Sequence, residues 1–206
     1  MSVIGITGGI ASGKSTFCRM LESRIAADVF DADAEARKLL ERDPDVREAV
    51  IQEISPTAFD KNGEPDRKEI RRVIFTDPTA KTRLEHILHP RVRARWMTLA
   101  AERVDAASPL LVDIPLLFEN HLEGHFFWVI SVACSRSTQI QRVVARGVDE
   151  RVAELIIAAQ TPTLEKISRA HFVVWNDGSL DVLESQADEI VNRGQLALRP
   201  NSQPRL

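Results

Sequence analysis

The feature that most constrains this chain is the run GITGGIASGKST at residues 5–16. Within it, residues 8–15, GGIASGKS, match the pattern G-x-x-x-x-G-K-[S/T]. Such a loop turns consecutive backbone N–H groups toward one anion, and glycine permits the required dihedrals and close approach. The lysine adds a mobile positive charge and the serine hydroxyl a hard ligand for Mg²⁺. At ordinary residue frequencies the pattern arises by accident at roughly 4 start points in 100,000, on the order of 1% over this chain. The flanks agree with it. Residues 3–7, VIGIT, form an apolar run that reads as a buried strand. From Lys14 the period changes, with Phe17, Met20, Leu21 and Ile25 on one helical face. Strand, glycine loop and helix N-terminus together predict a nucleoside-triphosphate site, with Gly8, Gly9, Ile10, Ala11, Ser12, Gly13, Lys14, Ser15 and Thr16 around the phosphates.

Further apolar runs predict strands over 28–33 (DVFDAD), 109–114 (PLLVDI), 127–134 (FWVISVAC) and 171–175 (HFVVW). Helical patterns separate them. Strands alternating with helices argue for a parallel sheet covered on both faces. Residues 35–108 contain no convincing strand and are too long for one crossover, so they read as a helical insertion. In this stretch Asp66 is placed to cap a helix, Asp77-Pro78 to start another, and His89-Pro90 to mark a boundary before an arginine-rich helix. The expected organisation is a nucleotide-binding core of 1–34, 109–135 and 161–195, the insertion 35–108, a lid 136–160 and a fraying tail 196–206.

Charge and composition exclude some classes. The formal net charge is −3, so no global cationic field draws the chain to nucleic acid, and anion binding must come from local clusters. Two cysteines, Cys18 and Cys134, have no metal-ligand or C-x-x-C spacing and read as buried thiols. The start MSVIGITGG carries no basic segment followed by an apolar one, and PLLVDIPLLF is too short to span a bilayer. A cytoplasmic location without membrane attachment is expected. His121 and His125 lack the sequence of a zinc protease. Nothing in the sequence specifies an oligomeric state.

A triphosphate site alone does not name a reaction. The guanine-reading N-K-x-D and the L-S-G-G-Q of transport ATPases are both absent. A small-molecule kinase needs a carboxylate near the acceptor hydroxyl and cations over the transferring phosphoryl. Strand alternation through FDAD places Asp31 and Asp33 on one side, at the carboxyl end of a strand where ligands sit in open α/β sheets. Either also suits a helix cap. Arg142 and Arg146 fall four apart, on one helical face, before a hinge-like Gly147. Asp113 ends a strand as an Mg²⁺-directed acid would, or caps the turn after it. Arg67, Lys68, Arg71, Arg72, Arg91, Arg93 and Arg95 suit either a phosphate-bearing acceptor or a solvated surface.

Taken together these segments resemble the dephospho-CoA kinase family. DADAEAR at 31–37 is similar to its D-A-D-x-x-A-R, and RRVIFTDPTAKTRLEHILHPRVR resembles its F-x-D…L-E-x-I-x-H-P stretch. DIPLLFE, QRVVARG, AAQ and NDG follow in order, so the likeness spans nearly the whole chain apart from the tail. The resemblance implies a P-loop NTPase three-layer α/β fold with a five-stranded parallel sheet, a helical substrate-binding insertion and a helical lid. It implies transfer of the γ-phosphoryl of ATP, with Mg²⁺, to the ribose 3′-hydroxyl of dephospho-CoA. It makes Asp33 the base or orienting group, Lys14, Arg142 and Arg146 the stabilising cations, and Ser15 and Asp113 the Mg²⁺ ligands. Asn176 and Gly178 would border adenine, and His89, Pro115 and Leu116 the acceptor. Two positions depart from the family's habit: His171 replaces an acid and Phe30 a small aliphatic residue. Another phosphate-loop kinase and a non-catalytic nucleotide sensor stay open as alternatives.

Overall fold

The structure, a computed structural model, describes residues 3–77, 79–103 and 108–194. Pro78 and the tail 196–206, both singled out above, lie outside the described residues. The chain divides into two compact units, one up to Phe30 and again from Arg103, the other Asp31–Glu102.

The first unit is built on a five-stranded sheet of β1 (Val3–Gly8), β2 (Asp28–Asp31), β3 (Leu110–Asp113), β4 (Trp128–Ala133) and β5 (Phe172–Trp175) in the order β2-β3-β1-β4-β5. Pairing is parallel at the β1–β3, β1–β4 and β4–β5 junctions. β2 joins through the Asp28 amide, which donates to the Pro109 carbonyl at 3.1 Å. β3 is buried along its whole length, which is why LLVD reads as a continuous apolar run rather than an alternating one. Ile4 and Ile6 of β1 face a core shared with Phe17 and Leu21 of the first helix (Lys14–Ile25) and Leu183 and Ile190 of the last (Leu180–Gly194). Thr7, on the opposite pleat, meets the turn after β3 and donates to the Pro115 carbonyl at 3.1 Å. Central β1 delivers the glycine loop at its carboxyl end.

Three more helices belong to this unit: Arg136–Val144, Glu150–Ala158 and Thr163–Arg169. Ser135 and Asp149 cap the first two through bonds from the Thr138 amide and from the Arg151 and Val152 amides. The third, after Pro162, was not foreseen in the sequence: it is short and follows a proline. His171 accepts from the Val129 amide through Nδ1 at 3.0 Å. The ring nitrogen thus fills an acceptor position that a carboxylate could also occupy.

The second unit is helical: Ala32–Arg42, Pro44–Glu53, Arg67–Thr76 and Ala80–Glu102, with Leu39, Val50, Ile70, Ile87 and Trp96 among its buried residues. In chain order the helices are therefore α1 (Lys14–Ile25), α2 to α5 in this unit, and α6 to α9 in the first. Two sequence expectations change here. The second strand ends at Asp31, not Asp33, because the Asp31 carboxylate accepts from the Ala34 amide at 2.8 Å and starts α2. Asp33 lies in the first helical turn, so strand alternation does not relate the two acids. Nor do His89-Pro90 mark a boundary, for α5 runs through them. Proline removes only one N–H from the helix ladder, and the neighbouring turns of this long helix carry α5 through it.

Candidate active site

The loop between β1 and α1 is shaped by two glycines whose positions disfavour a side chain. A Cβ on Gly8 would overlap the Val132 carbonyl oxygen of β4, and one on Gly13, at φ 92°, the Asn176 amide nitrogen. Residues 9–12 form a tight turn, the Ser12 amide donating to the Gly9 carbonyl at 3.1 Å. The loop's carbonyl oxygens are drawn to neighbouring elements. Gln139 Nε2 donates to Ile10 at 3.0 Å, Arg142 Nη1 to Ala11 at 3.2 Å, and Asn176 Nδ2 to Ser12 at 2.7 Å. Arg142 Nη2 also donates to the Asn176 carbonyl at 2.9 Å.

With the carbonyls held away, the amides are left over. Those of Ala11, Gly13, Lys14 and Ser15 have no acceptor among the described residues. Lys14 and Ser15 open α1, where the helix dipole adds positive potential and no acidic side chain occupies the first turn. Four unsatisfied donors beside an ammonium form an anion cradle. The Lys14 ammonium is paired with Asp113, which is 5% exposed at the end of β3. Ser15 is exposed, and its hydroxyl has no partner among the described residues. A free hydroxyl and a carboxylate are hard oxygen donors, and Mg²⁺ takes one or two such groups alongside substrate phosphates; the residues fit that ion.

The remaining candidates are distributed as follows. α6 stops at Val144, so Arg142 and Arg146 do not share a helical face. Arg142 lies on the loop, whereas Arg146 sits in the next turn, exposed and without a side-chain partner among the described residues. Asn176 is 7% exposed and committed to the Ser12 carbonyl, and Gly178 is exposed in the turn before α9. Pro115 and Leu116 are half-buried in the turn after β3. In the helical unit, Asp33 is exposed with no partner among the described residues, and His89 is half-buried within α5. Of the cations there, Arg67, Arg72 and Arg95 pair with Glu41, Glu69 and Glu35. Lys68 and Arg71 have no such pairing among the described residues.

Glu119, the acid that ends DIPLLFE, has a partner that sequence reasoning missed. Lys166 of α8 is 1% exposed, ion-paired with Glu119 at 2.8 Å and donating to the Pro115 carbonyl at 3.2 Å. The Thr161 amide donates to the same Glu119 oxygen at 3.1 Å. Burial alone would raise the Glu119 carboxyl, but the Lys166 ammonium and the backbone donors outweigh it and hold the group below the usual glutamate range. Gln139 was also missed. Its signal is its place: with Val143 it forms the buried stripe of α6, and a polar residue there must have a partner.

The family model described as dephospho-CoA kinase matches residues 2–181. The chain belongs to that family. A dephospho-CoA kinase of Anaeromyxobacter dehalogenans is 39% identical over 99% of each chain. A crystal structure from Thermus thermophilus shares 34% identity at TM-score 0.77, covering 93% of this chain and 97% of its own. The dephospho-CoA kinase from Campylobacter jejuni, at 23% identity and TM-score 0.70 over 94% and 98%, shares the fold. The family match takes in the loop, Asp33, the 113–119 turn, Arg142, Arg146 and Asn176.

Proposed function

We infer that the chain transfers the γ-phosphoryl of ATP to the ribose 3′-hydroxyl of dephospho-CoA, giving CoA and ADP, the last step of CoA biosynthesis. The observation that carries this reading is the cradle of four unsatisfied amides with Lys14, in a chain matched to the family over residues 2–181. We propose that phosphates are handled in the first unit, with 136–160 as lid, and that the acceptor binds through the helical segment 35–108. On this reading the protein acts in the cytoplasm on small molecules, without nucleic acid or membrane.

The amides of Ala11, Gly13, Lys14 and Ser15 would bind the β- and γ-phosphates. Lys14 would leave Asp113 for the migrating phosphoryl, whose charge is spread over its outer oxygens and is stabilised by fixed dipoles and cations. Ser15 and Asp113 would hold Mg²⁺, which supplies charge neutralisation on the polyphosphate when bound. Arg142 would keep the loop in shape, and Arg146, which has no competing side-chain partner among the described residues, would reach the transferring group. Asp33 would accept the proton of the 3′-hydroxyl or aim it, a task that needs a carboxylate unoccupied by other bonds. Asn176 and Gly178 would border the adenine, and His89, Pro115 and Leu116 the acceptor.

The test is incubation with ATP, Mg²⁺ and dephospho-CoA, followed by mass spectrometry locating the added phosphate. A single phosphate on the ribose 3′-oxygen is expected. Turnover only with a nucleoside monophosphate or a small alcohol, or ATP binding without turnover, would overturn the assignment.

A further inference from the structure

Ala11 has an unusual backbone for an L-residue with a side chain, φ 58°. It is the third residue of the turn closed by the Ser12 amide on the Gly9 carbonyl, and Ile10, the second, has no positive φ. A turn with positive φ at its third residue is of type II, which normally takes glycine or asparagine there. The strain on a Cβ-bearing residue in the left-handed region is about 1–2 kcal/mol. A flip of the Ile10–Ala11 peptide would convert the turn to type I and relieve it. That flip has a functional consequence. In a trans peptide the carbonyl and the following N–H point in opposite directions. The Ile10 carbonyl is turned to Gln139, so the Ala11 N–H is turned the other way and has no acceptor among the described residues. Flipping the peptide would withdraw that donor from the cradle.

Gln139 is built to prevent this. It is 4% exposed, lies on the buried stripe of α6, and donates Nε2 to the Ile10 carbonyl at 3.0 Å. Gln160, just after α7, accepts the Ile10 amide through Oε1 at 2.9 Å. Ala11 packs with Val143 and Ala153 of α6 and α7. The second and third residues of the turn are thus held by the two lid helices and their ends, by packing and by hydrogen bonds. We propose that Gln139 is a positioning residue for triphosphate binding: it locks the Ile10–Ala11 peptide in the strained orientation that presents the Ala11 N–H to the triphosphate, with Gln160 securing the adjoining amide. This rests on the reading of the loop as the triphosphate site.

The experiment is a two-by-two set of variants, Gln139→Met with and without Ala11→Gly, measured by equilibrium ATP binding and steady-state kinetics. Gln139→Met keeps the volume and removes the donor. It is expected to weaken ATP binding and raise KM for ATP about tenfold, or about 1.4 kcal/mol. KM for dephospho-CoA and kcat at saturating ATP should stay within about twofold. Glycine adopts positive φ without strain, so on the Ala11→Gly background the same change should cost about threefold or less. A purely structural role would lower the melting temperature without this rescue. Gln139→Leu, which likewise has no donor, must weaken ATP binding comparably and serves if Gln139→Met does not fold. Unchanged ATP affinity in the folded variants, or an equal loss on both backgrounds, would overturn the proposal. Failure of the wild-type protein to bind ATP would instead overturn the functional reading on which it rests.

Discussion

Replacing Lys166 by methionine isolates the energetics of the buried ion pair beneath the turn after β3. The Lys166 side chain is 2% exposed and that of Glu119 21%. Methionine fills a similar volume, so the change leaves little cavity. The Pro115 carbonyl keeps the Thr7 hydroxyl as a donor and is not orphaned. What remains is a largely desolvated Glu119 carboxylate with the Thr161 amide but no countercharge. Breaking one side of a buried pair costs about 3–5 kcal/mol, and the residual exposure of Glu119 argues for the lower end, about 3 kcal/mol. For a chain of this size that lowers the melting temperature by about 6–12 °C. The double variant Lys166→Met, Glu119→Gln removes the stranded charge while the glutamine oxygen can still accept from Thr161. It should recover to within about 1 kcal/mol of the wild type, since neutral replacement of a buried pair is often harmless. Thermal unfolding by circular dichroism at pH 7 reads both. A shift under 2 °C for the single variant, or a double variant no more stable than the single, would refute the view that a stranded charge dominates.

Other outcomes follow from the same structure. Asp33→Asn should lower kcat at least about 100-fold, the scale of a lost general base, while leaving ATP affinity unchanged; equal turnover numbers would remove Asp33 from the chemistry. Lys14→Ala should impair both ATP binding and turnover, read by calorimetry and kinetics, because it removes the only mobile cation of the loop. Gly13→Ala places a side chain at φ 92° against the Asn176 amide, and should weaken ATP binding by tenfold or more; wild-type affinity would show that the loop shifts freely. Acid should destabilise the protein in a definite window. Glu69 is pulled to about 2 by Arg72 and the Ser55 hydroxyl, and Glu119 stands below the ordinary 4.5. Both carboxyls are depressed on folding, so their contribution is complete above about 4.5 and disappears as pH falls through the lower folded values. Denaturant midpoints should hold steady from pH 7 to 5 and fall between pH 4 and 2.

The sequence alone determined the strand, loop and helix at the start of the chain and the alternation that makes a five-stranded sheet. These are legible because consecutive residues write them: a glycine pattern, a period of two or of 3.6. Competition between local signals was not legible. Asp31 could extend a strand or cap a helix, and the bond to the Ala34 amide settled it; Pro90 could end a helix, yet α5 continues through it. Only the tertiary structure decided which side chains hold the loop open. Gln139 meets Ile10 across 129 positions, Arg142 meets Ala11 across 131, and Asn176 meets Ser12 across 164. A polar residue on a buried stripe announces that it needs a partner, but which carbonyl it finds depends on the order of strands in the sheet. That order is a property of the packed chain, where burying apolar faces brings distant segments together and forces each buried polar group to be satisfied by whatever lies opposite.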